Sequence, residues 1–351
     1  MENISPARIM AAKPSYAVRR VDLQDCAAVS SADYKPQAGD LVLARVSEIG
    51  SHGRIELPNG RKAKLNIGDE IILAYGNRYA PDQYESYVPD SLEPCHMVAA
   101  GGIASKAVSW HNKLSGPTAI EPVGVLCQSN GRPVNLNSYA LPTLAGPMPS
   151  VVLGVFGTSM NSGKTATAAA LVRGFALNGY RVGALKITGT AAGGDPWLMR
   201  DSGASEVLDF TDAGMATTFG VPLDTLVAST RNLLRTLSRS DCDLAVVEIA
   251  DGLFQDETRQ IAESKLIQSV FDGVVFASGD ALGAVAGAKQ LTDLGYNVLA
   301  ISGALLRSPL AAREAAANLG LPAYDLPEFH QAEKVSQIMD TVVSPRYAAT
   351  G

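Results

Sequence analysis

The segment Val155-Phe-Gly-Thr-Ser-Met-Asn-Ser-Gly-Lys-Thr165 constrains this chain more than any other. It leaves a fully apolar run, Val151–Phe156, and enters an alanine-rich stretch predicted to be helical to about Asn178. A glycine-rich turn between a buried strand and a helix aims backbone N–H groups at one point, and the helix dipole favours an anion there. In such a loop Lys164 reaches the outer phosphates of a nucleotide, and the Thr165 hydroxyl binds Mg²⁺. The residues assigned to the phosphates are Gly157, Thr158, Ser159, Met160, Asn161, Ser162, Gly163, Lys164, Thr165 and Ala166. The common pattern has its first glycine five residues before Gly163. Here Thr158 holds that place and the glycine stands one residue earlier, at Gly157.

The pattern after the loop predicts an α/β domain. Arg181–Ile187, Leu244–Ile249, Gly273–Ala277 and Val298–Ile301 are apolar on both faces and alternate with helical stretches. That is the signature of a mostly parallel, doubly wound sheet covered on both sides. Leu141–Ser150 has three prolines and a glycine and reads as a linker. Before it come short β-like runs: Leu41–Val46, Arg54–Leu57, Lys62–Leu65 and Glu70–Tyr75. Asn59-Gly60 between two of them predicts a hairpin with a tight primed turn, both of whose central positions favour positive φ. A smaller β-rich, barrel-like domain over residues 1–145 is therefore expected, followed by a P-loop domain over 146–351.

Composition narrows the partners. Apolar residues make up 46% of the chain and charged residues 18%, with a formal net charge of -6. A mild acidic excess disfavours nucleic acid, which is held by clustered Lys and Arg. Met1 to Arg20 lacks a signal-peptide core, and no apolar stretch is long enough to span a membrane. Cys26, Cys95, Cys127 and Cys242 are scattered without a C-x-x-C pair, so a reducing, cytoplasmic setting is expected. A small-molecule substrate is the expected partner, with neither nucleic acid nor membrane.

The shifted glycine carries a resemblance. Gly-Thr-x-x-x-x-Gly-Lys-Thr after an apolar strand resembles the loop of dethiobiotin synthetase and the cobyrinic/cobyric acid synthases. The strand end Val182-Gly-Ala-Leu-Lys186 resembles that family's lysine for the substrate and the transferred phosphate. Gly193-Gly-Asp195 resembles its acidic Mg²⁺ residue, and Asp243–Gly252 resembles its V-E-G-A-G-G strand end, with Glu248 at the metal-binding glutamate. The resemblance covers roughly residues 150–325. It implies ATP and Mg²⁺ as cofactors, with the metal on Thr165, Asp195 and Glu248. It also implies Lys164, Lys186 and Glu248 as catalytic residues, and a homodimer. Ile249 and Asp251 depart from the family's Gly-rich turn, and Ile301-Ser-Gly303 stands where the family often has a base-reading asparagine. The β domain has no counterpart in dethiobiotin synthetase itself. The strand-end lysine also resembles that of the molybdenum-cofactor P-loop accessory proteins.

Around these, Lys186, Thr188, Gly189 and Asp251 are candidates for contact with an anionic substrate, although Thr188 and Gly189 are equally readable as loop residues. Gln255-Asp-Glu257 reads as a helix start, and Ser278-Gly-Asp280 follows another strand end. Cys95-His96 and His111 match no standard zinc spacing. Tyr75, Tyr79, Tyr84 and Tyr87 read as core and rim of the barrel, and Gly101-Gly102 as a turn or a close backbone approach. The leading functional expectation is an Mg-ATP-dependent ligase or kinase that phosphorylates a carboxylate-type acceptor. One alternative is an ATP-driven accessory or switch NTPase. A GTPase of that kind normally carries Asn-Lys-x-Asp, and Asn112-Lys113 is followed by Leu-Ser. The other is an acyltransferase whose loop cradles a coenzyme A thioester.

Overall fold

Alternating apolar residues in the N-terminal half close into a ring of strands in the computed structural model, which describes residues 1–30 and 32–348. The strands are β1 (Leu41–Glu48), β2 (Glu70–Tyr75), β3 (Cys95–Ala99), β4 (Ile103–Trp110) and β5 (Thr118–Cys127). β1 pairs antiparallel with β5 and with β2, and β2 runs parallel to β4. β4 pairs antiparallel with β3, and β3 antiparallel with β5, which completes the circuit. Each strand thus has at least two ladder neighbours, the usual way a small sheet avoids long free edges. Alternate residues fill the inside, among them Val42, Ala44 and Val46 of β1 and Ile71, Leu73 and Tyr75 of β2.

The expected hairpin is present, with Arg54–Glu56 paired antiparallel to Lys62–Lys64. Its turn differs from the expectation. Gly60 has a φ of 84°, but Asn59 is not among the residues of positive φ. Leu57 N donates to Arg61 O, and the Asn59 side-chain oxygen accepts from Arg61 N at 3.1 Å. The side chain stabilises a wider turn, so only the glycine adopts the left-handed conformation.

This unit comprises Met1–Pro142 together with Thr190–Gly194 and Phe210–Gly220. Gly101 admits a close approach: a Cβ there would lie 1.9 Å from Ala191 O. Gly193 N donates to the buried Glu56 carboxylate at 2.9 Å, and Arg19 and Arg20 both reach Asp212. Tyr75 and Tyr84 are buried, while Tyr79 and Tyr87 flank Phe219 with ring centroids at 5.4 and 6.1 Å. The Nδ1 atoms of His96 and His111 accept from the backbone N–H groups of Ala107 and Lys113. All four cysteines are buried and unbridged.

The second unit comprises Thr143–Gly189, Asp195–Asp209 and Val221–Gly351. Its strands are β6 (Val151–Gly157), β7 (Val182–Lys186), β8 (Glu206–Asp209), β9 (Leu244–Glu248), β10 (Gly273–Ala277) and β11 (Val298–Ser302). All pairings are parallel, in the order β8-β7-β9-β6-β10-β11. The edge strand β8 was not evident from hydropathy, since it is short and only half buried. The longer helices are α1 (Lys164–Leu177), α2 (Gly194–Asp201), α3 (Leu223–Arg239), α4 (Asp256–Glu263), α5 (Ala281–Leu294), α6 (Pro309–Leu319) and α7 (Ala332–Ala348), with one short turn of helix at Lys265–Gln268. Ala168, Leu171, Val172 and Phe175 of α1 join Leu153, Val155, Val246 and Val275 of the sheet in one core. Each large side chain buried there contributes about 1.5–3 kcal/mol. No helix among the described residues is long and apolar enough to cross a membrane.

Candidate functional site

The loop after β6 is built around positions that exclude side chains. A Cβ on Gly157 would lie 2.6 Å from Ser162 Oγ and 2.8 Å from Ala277 O. Thr158 N donates to Ala277 O at 3.0 Å, which ties the loop to β10. Asn161 and Gly163 take positive φ values of 65° and 100°, and together they wrap the backbone around a central space. A Cβ on Gly163 would lie 2.8 Å from Gly303 Cα. Lys164 is buried and donates from Nζ to Ser159 O at 2.7 Å, so its ammonium arches across the loop. Burial lowers its pKa, against the opposing pull of Asp251 and Glu248.

The parallel register supplies the charged floor. Lys186 ends β7, Glu248 ends β9, and the two are direct register partners. Lys186 Nζ is paired with the carboxylate of Asp195, in the first turn of α2. Thr165 Oγ1 donates to Glu248 Oε1 at 2.9 Å. Glu248 is 2% exposed, and its Oε2 is buried without a hydrogen-bond partner. Burial raises the Glu248 pKa, only partly opposed by Lys186 and Lys164. Burial pulls the Lys186 ammonium down, but Glu248 and Asp195 outweigh it and raise its pKa. For Asp195 burial pushes upward, and Lys186 overcomes this and holds it below the ordinary carboxylate value.

These groups surround a polar cavity of about 510 Å³. Its lining brings together Met160, Asn161, Gly163, Lys164, Thr165, Ala166, Lys186, Asp195, Glu248 and Asp251 from the sequence-derived candidates. Gly157, Thr158, Ser159 and Ser162 shape the loop from behind. Thr188 stands apart: it is fully buried, and its hydroxyl donates to Ala250 O at 2.5 Å. Thr258 donates to the same carbonyl at 2.8 Å, so Thr188 braces the turn after β9 and does not face the cavity. Gly189, with a φ of 132°, is also outside the lining. Gln255 precedes α4 and its side chain accepts from Asp251 N at 3.2 Å. Asp280 caps α5 by accepting from Gly283 N at 2.7 Å.

Sequence reasoning missed a second cavity of about 240 Å³. Ala304, Leu306, Asp325, Leu326 and Pro327 wall it, and it shares Asn161, Gly163, Ala166 and Arg307 with the first. Its signal in the sequence was positional: these segments follow β11, beyond the carboxyl ends of the strands where open α/β sheets hold ligands. Asp325 and Glu328 cap one another, with Glu328 N donating to Asp325 Oδ1 at 2.9 Å and Asp325 N to Glu328 Oε2 at 2.8 Å.

The donor set suits a hard cation. Thr165 Oγ1 and the unpartnered Glu248 Oε2 are both oxygens, as Mg²⁺ demands. Asp195, the third expected ligand, engages Lys186 here. Among the described residues no group of three or more His, Cys, Asp or Glu converges as a metal cage.

No protein-family model matches the sequence, and no curated protein matches it significantly. Among solved structures the chain is similar to the signal recognition particle 54 kDa protein from Aeropyrum pernix K1 in complex with GDP. That match has 20% identity and a TM-score of 0.38, over 59% of this chain and 52% of that one. A DUF1611 family protein from Anabaena variabilis gives 15% identity and a TM-score of 0.41, over 61% of this chain and 66% of that one. The hydrogenase maturation factor HypB from Archaeoglobus fulgidus gives 15% and 0.37, over 55% and 90%. This chain thus spans about half the length of the first. Likeness at this level says nothing of activity, and the fold is read from strand order, loop and charged strand ends. On those grounds the second unit is a doubly wound, parallel α/β domain with a P-loop.

Proposed function

We propose that this protein transfers the terminal phosphoryl group of an Mg-nucleoside triphosphate, with ATP as donor, to an oxyanion of a small-molecule acceptor. One observation carries the reading: Lys186, a largely buried cation, lines the same cavity as the phosphate loop but rises from a different strand. Phosphoryl transfer depends on in-line placement and charge neutralisation. Lys164 and the loop amides neutralise the donor side, and Lys186 the acceptor side. Mg²⁺, held by Thr165 and Glu248, would offset charge on the outer phosphates. With a carboxylate acceptor, its oxygen bonds to phosphorus as the bridging bond to the nucleoside diphosphate breaks, leaving an acyl phosphate. The dethiobiotin synthetase resemblance supports this acceptor class.

A second reading, an NTP-driven accessory or switch protein, is favoured by Phe254. That aromatic residue is 85% exposed and lies two positions after Gly252, where a Cβ would come within 2.2 Å of Thr158 O. In that reading the exposed Phe254 side chain is a contact for the partner.

Calorimetry with Mg-ATP, Mg-GTP and acetyl-CoA, followed by nucleoside diphosphate release, tests both. Release that depends on small carboxylates and is lost in Lys186→Ala supports the first reading. Turnover indifferent to carboxylates but stimulated by a protein partner supports the second. Tight acetyl-CoA binding with no nucleotide binding would sink both and make the loop a coenzyme A cradle.

A further inference from the structure

The two cavities of the second unit share four lining residues. Three of them, Asn161, Gly163 and Ala166, belong to the phosphate loop and the start of α1. The fourth is Arg307, from the segment that follows β11. Arg307 closes a 3₁₀ turn, Ala304–Arg307, that is fixed to the phosphate machinery through its backbone. Ala304 N donates to Ser162 O at 2.9 Å, and Leu305 N to Ser278 O at 2.8 Å. The turn therefore cannot drift from the loop, while the Arg307 side chain at its end is exposed.

The charges of the site single out this residue. Lys164 Nζ is held by Ser159 O and Lys186 Nζ by Asp195. Arg307 lines the same space and makes no ion pair or side-chain hydrogen bond among the described residues. A guanidinium presents planar pairs of donors that match phosphate oxygens two at a time.

We propose that Arg307 clamps the inner phosphates of a bound nucleotide where it crosses from the apolar cavity to the polar one. The proposal rests on the nucleotide reading above. A base seated against Ala304, Leu326 and Pro327, with outer phosphates at Lys164 and Thr165, puts the sugar and first phosphates at the shared boundary. Arg307 meets the ligand there, where Asn161, Gly163 and Ala166 also line both cavities. Its contacts are made alike with a diphosphate and a triphosphate. It is a binding residue and leaves the transferring phosphoryl to Lys164 and Lys186.

The test is calorimetric titration of Mg-ADP, Mg-ATP, Mg-GDP and Mg-GTP into the full chain, using wild type, Arg307→Ala, Arg307→Lys and Lys164→Ala. For the nucleotide pair that wild type binds, Arg307→Ala should weaken di- and triphosphate by the same factor, about 10- to 100-fold for a lost charge-assisted contact. Arg307→Lys should recover part of the loss. Wild-type affinity in Arg307→Ala would overturn the assignment. So would a loss confined to the triphosphate, since that places the guanidinium at the terminal phosphoryl. If wild type binds none of the four, the nucleotide reading itself falls and the assignment with it.

Discussion

Asp40 in the β-barrel unit and Glu248 in the P-loop unit are equally buried carboxylates, each 2% exposed, and the chain treats them in opposite ways. Asp40 Oδ2 accepts from Tyr34 Oη and Gln37 N, both at 2.8 Å, and Oδ1 accepts from Asn135 Nδ2 at 2.9 Å. Both oxygens are satisfied by local donors, so the carboxylate knots together the entry to β1. Glu248 has one donor, Thr165, and its second oxygen faces no hydrogen-bond partner. Leaving a buried polar atom unpaired costs about 1–3 kcal/mol. A saturated buried carboxylate reads as scaffold, whereas a half-satisfied one on a cavity wall reads as a place kept for a ligand.

Substitutions can break or sharpen that contrast. The largest effect is expected from Lys164→Ala, which removes the loop's charge and should lower nucleotide turnover by about 10²–10³-fold, the loss typical of a preorganised donor. Steady-state release of nucleoside diphosphate measures it, and folding should be little changed. Asp40→Ala should do the reverse. Urea unfolding should show a loss of about 2–4 kcal/mol as three donors lose their acceptor, with nucleotide affinity retained. If Asp40→Ala impaired turnover while leaving stability intact, the scaffold assignment would be wrong.

Glu248→Gln addresses pH. Burial raises the Glu248 pKa, so the folded chain keeps this proton to higher pH than the unfolded chain does. Its contribution to stability is present below the ordinary carboxylate value and is lost as pH rises from there through the raised folded value. Asp195 is shifted the other way by Lys186, so its contribution is present above the ordinary value and fades on acidification. Removing only the Glu248 ionisation should therefore flatten the decline of stability above the ordinary carboxylate range. Thermal melts across that interval give the comparison, and an unchanged slope would refute it. The smallest effect is expected at the apolar cavity. Asp325→Ala should change the ratio of ATP to GTP affinity by about 5- to 10-fold, the worth of one hydrogen bond. Competition binding would detect it.

Much of this was legible in the chain. Runs apolar on both faces marked the parallel strands, because a sheet covered by helices leaves no face for polar residues. The phosphate loop was legible because Gly157 and Gly163 answer to local contacts and φ values that few other residues meet. The hairpin at Asn59-Gly60 was legible, but its turn was not, since Asn59 satisfied Arg61 N through its side chain. Thr188 looked available beside Lys186, yet Ala250 O, 62 residues away in sequence, takes its hydroxyl. β8 carried little signal because an edge strand is half exposed and need not be apolar.

By itself the sequence determined what depends on near neighbours: the loop and the strand periodicity. Only the tertiary structure decided which distant groups share a space. Parallel register sets Lys186 beside Glu248 across 62 residues, and one anchored turn brings Arg307 to the phosphate loop. Charge interactions act through distance in space, and nothing in the linear order encodes that distance until the sheet has formed.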